Sequence, residues 1–169
     1  MKILIVSDSH GKKDLLQQIV QQVQADHVIH CGDFCTSVNE LPDVPITVVR
    51  GNCDFEKVPK EQIFIVEDVR ILVAHGHTLQ VKRTPLPLRY RAEEVGVQIA
   101  CFGHSHLPFC EQVGNVLLIN PGSISNPRGF AFPTYAILQI HDGNAEVSYY
   151  QIDGKVTKER GGSFPLHKY

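Results

Sequence analysis

His104 and His106 stand one residue apart at the end of an apolar run, in the stretch CFGHSH at residues 101–106. Imidazole is the commonest protein metal ligand and also a proton carrier near neutral pH, so the pair suits cation binding or acid–base work. In extended backbone, side chains two positions apart point to the same face, which predicts that both rings look into one space. Two imidazoles alone do not make a site, so the question is whether other strand ends deliver more donors. VSDSHG supplies Asp8 and His10, IHCGDF supplies Asp33, VVRGNCD supplies Asn52, and VAHGH supplies His75 and His77. Singly, each has a structural explanation: Asp8 as a helix cap, Asp33 and Asn52 as turn residues, the histidines as near-surface groups. Five apolar runs that all stop at small or glycine-flanked turns bearing Asp, Asn or His point instead to one binding centre outside the carboxyl ends of strands.

The elements that must hold such a centre are legible from periodicity. KILIV at 2–6 is a continuous apolar run, as in a strand covered on both faces. Leu15, Leu16, Ile19, Val20 and Val23 then fall on one side of a helix. HVIH at 27–30 and ITVV at 46–49 read as further strands, giving an opening with parallel-sheet character. From Gln62 the pattern changes to short strands, IFIV, RILVA, QIACF, FCEQV, NVLLI, YAILQI and AEVSYY, with one helix expected within PLPLRYRAEEVG and ending at Gly96. The Gly-Asn of QVGNVL and the Asp-Gly of IHDGNAE mark hairpin turns. The expected fold is α/β, a two-sheet β-sandwich flanked by helices, with residues 1–169 as one domain because no repeat, linker or composition shift divides them.

Composition narrows the function. A chain of 169 residues buries a core without disulfides or structural metal, so any metal is expected to be functional. A hydrophobic content of 43% in short runs argues against a membrane span. The net charge of -2 argues against a broad sequence-independent grip on nucleic acid, leaving only a small local patch open. Five cysteines form an odd set with no cleavable leader ahead of them, which favours reduced thiols and a cytoplasmic location. Cys31 and Cys35 lie four apart, but no second pair completes a zinc knuckle, and buried or partly buried thiols are expected.

The ordered motifs D-x-H at 8–10, G-D at 32–33, G-N at 51–52, an isolated His at 75 and G-H-x-H at 103–106 resemble the calcineurin-like metallophosphoesterase family, closely its small bacterial and archaeal members. The resemblance covers most of the chain and implies a β-sandwich flanked by helices in four layers, holding two divalent metals. It implies that Asp8, His10, Asp33 and His106 bind one ion, that Asn52, His75 and His104 bind the other, and that Asp33 bridges them. His104 and His106 would then each serve one of two adjacent ions. The mixed nitrogen and oxygen donors suit Mn²⁺ first, with Fe, Zn²⁺, Ni or Co as further fits, and the lack of thiolate in the set disfavours a structural zinc site. Two ions about 3.5–4 Å apart hold a hydroxide between them and stabilise both oxygens of an in-line displacement, which is the chemistry of phosphoester hydrolysis. The small-member resemblance points further to phosphodiesters.

One position departs from the pattern. Many relatives carry a histidine after the G-N pair, credited with helping the leaving group depart, whereas this chain has Gly51, Asn52, Cys53. His77 is the candidate to supply a proton in its place, with a supporting or solvated role as the alternative. Arg128, in NPGSISNPRG with Ser123 and Asn126, is a candidate for pairing a substrate phosphate; a turn built by Pro and Gly explains the same stretch. Lys82, Arg83, Arg89 and Arg91 cluster after His77 and would steer an anionic substrate unless they form a solvated helix entrance. His27, His30 and His141 need no ligand role. The alternative to an enzyme is a protein-interaction scaffold on the same fold, as in the small retromer subunit. Short edge strands make a homo-oligomer an expectation as well.

Overall fold

A computed structural model describes residues 1–167, arranged as two mixed sheets lying face to face with a helix outside each. In the first sheet, β1 (Lys2–Val6), β2 (His27–His30) and β3 (Ile46–Val48) run parallel. The antiparallel strands β9 (Thr134–His141), β10 (Asn144–Gln151) and β11 (Val156–Pro165) extend that sheet from the other side of β1. In the second, β5 (Val69–Ala74), β6 (Ile99–Cys101) and β8 (Val116–Asn120) are parallel, with β4 (Glu61–Val66) and β7 (Phe109–Val113) as antiparallel edges.

The run at 2–6 is apolar throughout because both faces of β1 are covered. Ile3 and Ile5 point into the layer between the sheets, against Ile71, Val73, Ile99 and Leu138. Leu4 and Val6 point outward onto α1 (Lys13–Val23), whose Leu16, Ile19, Val20 and Val23 are buried there. On the other side α2 (Leu86–Glu94) sets Leu88 and Ala92 on Leu72, Ala100 and Leu118 of the second sheet. Helix, sheet, sheet, helix is the expected four-layer order.

One expectation needs correction, and one strand escapes the sequence reading. His104 and His106 are not in extended backbone: β6 stops at Cys101, and both residues are left-handed, with φ of 67° and 59°. Their shared direction comes from a loop, not from strand alternation. The strand β11 carries no sequence signal because its VTKERGGSFP is charged and glycine-containing. It is the outer edge of its sheet, where charge, glycine and proline discourage pairing with other chains.

Candidate metal centre

Each predicted donor follows the carboxyl end of a parallel strand: Asp8 and His10 after β1, Asp33 after β2, Asn52 after β3, His75 after β5, His104 and His106 after β6. The loops continue the sheet ladders past the strands, with Asp8 N–H on Gly32 O at 3.0 Å, His10 N–H on Asp33 O at 2.9 Å and Gly103 N–H on His75 O at 3.1 Å. Asp8, His10, Asp33, His104 and His106 all adopt positive φ, a conformation that costs non-glycine residues energy and collects at functional sites. The motif glycines are required by crowding. A Cβ on Gly51 would sit 2.1 Å from Asp33 Oδ1, and one on Gly103 would sit 1.9 Å from Ser7 Oγ and 2.6 Å from Asp8 Oδ2.

The side chains converge in two groups whose donor atoms lie within 4.8 Å of one another: Asp8, His10 and His106, and Asp33, His75 and His104. The groups adjoin. Asp33 Oδ2 is 3.2 Å from His75 Nε2 and 3.9 Å from His10 Nε2, and His75 Nε2 is 3.1 Å from Asn52 Oδ1. Backbone carbonyls fix which imidazole nitrogen faces inward. His75 Nδ1 donates to Cys31 O at 2.7 Å and His106 Nδ1 to Asn126 O at 2.6 Å, so in both rings Nε2 is the nitrogen turned toward the centre. Asp8 Oδ2 accepts from Ser7 Oγ and His104 N. Its Oδ1 is buried without a hydrogen bond among the described residues, although Nε2 of His106, His10 and His75 stand 3.2, 3.6 and 3.9 Å away. A buried carboxylate oxygen ringed by imidazole nitrogens and left unpaired is the environment of a cation ligand, and the donor set fits a divalent ion.

Electrostatics agree with that use. Burial raises the Asp8 carboxyl, but the imidazoles of His10, His106 and His75 outweigh it and hold the group well below its ordinary range. Burial also opposes ionisation of Asp33, and His75 again reverses the effect. His104 is pushed down to about 4 by burial, with the charge of His75 adding to it, so its imidazole is neutral. His10 is drawn upward, first by its contact with Asp8.

Sequence reasoning missed the residue that ties two of these loops together. Asp54 is buried, and its carboxylate accepts from Asp33 N, Cys35 N and Gly51 N, each at 2.8 Å. Its available signal was position, directly after the Gly-Asn-Cys triplet. The 120–129 segment is a further brace: Ser123 Oγ and Ser125 Oγ both donate to Asp8 O at 2.8 Å, and Asn126 O holds His106. Arg128 is exposed and its backbone N–H donates to His106 O at 3.3 Å. His77 is half-buried beside His75 and His104, its ring centroid 5.4 and 6.1 Å from theirs, and its buried Nδ1 has no hydrogen-bond partner among the described residues. In the basic cluster, Arg89 pairs with Glu93 and Arg91 with Glu61 and Glu94, so those two charges are neutralised on the helix. His30 is fully buried between Ser9 Oγ and Gly32 N, and His27 stacks on Phe64, both structural as expected.

Fold and donors together define a protein of the metal-binding phosphoesterase class. Residues 1–143 match the calcineurin-like phosphoesterase superfamily domain, and the chain belongs to that family. It is 43% identical over 157 residues to the probable metallophosphoesterase YsnB of Bacillus subtilis, covering 91% of this chain and 93% of that protein. It is 28% identical over 168 residues to the phosphodiesterase YfcE of Escherichia coli K12, covering 82% and 87%. Among solved structures, a predicted phosphoesterase from Streptococcus pneumoniae superposes with a TM-score of 0.87 at 31% identity over 97% of each chain. Vps29 from Entamoeba histolytica superposes with a TM-score of 0.77 at 21% identity, over 99% of this chain and 100% of that one, a likeness of fold alone.

Proposed function

We propose that this protein is a phosphodiesterase that works with two adjacent divalent ions, Mn²⁺ first among them, on a small phosphoester in the cytoplasm. The observation that carries the reading is the unpaired, buried Asp8 Oδ1 amid three imidazole nitrogens, beside a second group joined to the first through Asp33. Asp8, His10, Asp33 and His106 would hold one ion, and Asn52, His75 and His104, with Asp33 shared, would hold the other. Ions held there would supply the charge that activates a water and neutralises the phosphoryl oxygens.

The chain's own part is positioning and proton handling. Cys31 O and Asn126 O hold His75 and His106 in the tautomer that presents Nε2. Asp54 fixes the Asp33 and Asn52 loops relative to each other. His77 has its unpaired Nδ1 beside the centre, and burial lowers its proton affinity, so it donates readily once protonated. Arg128 follows the loop that holds His106 and is the group assigned to a substrate phosphate. The choice of diester rests on the resemblance to small family members, and the name of YfcE agrees with it.

The scaffold alternative has the fold likeness to Vps29 behind it but is not favoured, because the seven residues assigned as donors are all present and converge. Assaying bis(p-nitrophenyl) phosphate and p-nitrophenyl phosphate with the chelator-stripped protein, before and after Mn²⁺, tests the reading. Mn²⁺-dependent turnover that favours the diester is expected. Equal or reversed preference would make the protein a phosphomonoesterase, and no turnover with any of the candidate metals would return the scaffold.

A further inference from the structure

Cys35 and Cys53 are exposed, contrary to the expectation of buried or partly buried thiols, and they face each other on the rim of the centre. The four-residue spacing of Cys31 and Cys35 is incidental, because Cys31 is buried between the sheets. Cys35 instead meets Cys53 from the next loop. The sulfurs of Cys35 and Cys53 and an imidazole nitrogen of His10 lie within 4.8 Å of one another, and Cys35 Sγ is 3.6 Å from His10 Nδ1. We propose that Cys35, Cys53 and His10 Nδ1 form a separate site for a thiophilic divalent cation of the zinc or cadmium class.

Geometry, rigidity and charge support it. Zn–S and Zn–N bonds of about 2.3 and 2.0 Å at a tetrahedral angle place sulfur and nitrogen about 3.5 Å apart, close to the spacing found. The two thiol-bearing loops are pinned crosswise: Asp33 Oδ1 accepts from Cys53 N, and Asp54 Oδ1 from Cys35 N, each at 2.8 Å. Those carboxylates also make the field at the sulfurs negative, which favours a cation. Two sulfurs and one nitrogen select a softer ion than the nitrogen and oxygen donors of the main centre. Because both thiols are exposed, an ion reaches them from solvent and keeps a water as its fourth ligand. Its arrival displaces two thiol protons and, because Nε2 of the same ring is committed to the main centre, the Nδ1 proton of His10, in exchange for two metal–sulfur bonds and one metal–nitrogen bond, and the three protons pass to solvent. The His10 ring borders both sites, with Nε2 toward Asp8 and His106 and Nδ1 toward Cys35.

Cobalt reports sulfur ligation directly, through a thiolate-to-cobalt charge-transfer band in the near ultraviolet. The whole protein, saturated with Mn²⁺ under a phosphine reductant, is titrated with Co²⁺. A band that saturates with one sulfur-ligated Co²⁺ per chain is expected, absent from both Cys35→Ser and Cys53→Ser and retained in Cys110→Ser. Circular dichroism of each variant confirms that loss of the band is not loss of the fold. No band in the wild type overturns the site. A band that survives Cys35→Ser but not Cys53→Ser would place Cys53 in the main centre and overturn it equally. No turnover is measured, so the outcome is independent of the phosphoesterase reading.

Discussion

The parallel and antiparallel parts of this molecule end their strands differently. β9 turns into β10 through Asp142-Gly143, with the ladder continuing at once on the other side, and nothing in that turn approaches the centre. β1, β2, β3, β5 and β6 cannot close in a hairpin, because a parallel neighbour requires the chain to leave the sheet. The peptide groups at their ends therefore need other partners, and side chains provide them: Asp54 takes three N–H groups, Asp8 takes one and Asp33 takes one. A carboxylate that uses one oxygen to hold a loop still has another to offer inward. Asp8 and Asp33 both do this, so the same two carboxylates hold the loops and face the candidate centre.

The contrast predicts that changes at the parallel ends act on metal and turnover, while changes in the antiparallel flank act on stability alone. The largest effect belongs to Asp33→Asn, which removes the charge between the two groups and should lower Mn²⁺-dependent hydrolysis by more than about 100-fold, exceeding the loss from changing a supporting residue alone. His10→Ala and Asn52→Ala, each touching one group, should lose less. Near wild-type turnover in Asp33→Asn would remove Asp33 from the bridging position.

Asp54→Ala is next. It leaves three N–H groups, two of them buried, without their acceptor, and a fall of about 10–100-fold in Mn²⁺ affinity by isothermal titration is expected, as for other residues that orient ligands. Unchanged affinity would show that the Asp33 loop is set by its backbone alone. The smallest effect is expected in the flank. The Tyr149 hydroxyl lies 2.8 Å from Phe109 O and 2.7 Å from Asn120 O across the two sheets. Tyr149→Phe should cost about 1–2 kcal/mol in urea unfolding with Mn²⁺ uptake intact. Loss of Mn²⁺ binding in that variant would blur the division between flank and rim.

The same division governs what could be read from the sequence. Strands of the parallel core were legible because burial on both faces leaves long apolar runs, and their donors because Gly-Asp, Gly-Asn and Gly-His pairs interrupt those runs. α1 showed itself through one apolar stripe. β11 was hidden because an exposed edge needs no apolar pattern, and its pairing with β10 even shifts register between Ser148 and Tyr149. Asp54 was hidden because a carboxylate that binds backbone N–H groups looks in sequence like any turn residue. The meeting of Cys35 with Cys53 was hidden for another reason: it depends on two loops whose closeness is set by β2 pairing with β3.

Counting ions tests the central claim most directly. Equilibrium dialysis of the stripped protein against Mn²⁺, followed by elemental analysis, should give two ions per chain in the wild type. The count should fall in Asp33→Asn, and to about one in His75→Ala or His104→Ala. A ceiling of one ion per chain, with His75→Ala and His104→Ala indistinguishable from the wild type, would contradict the two-ion centre.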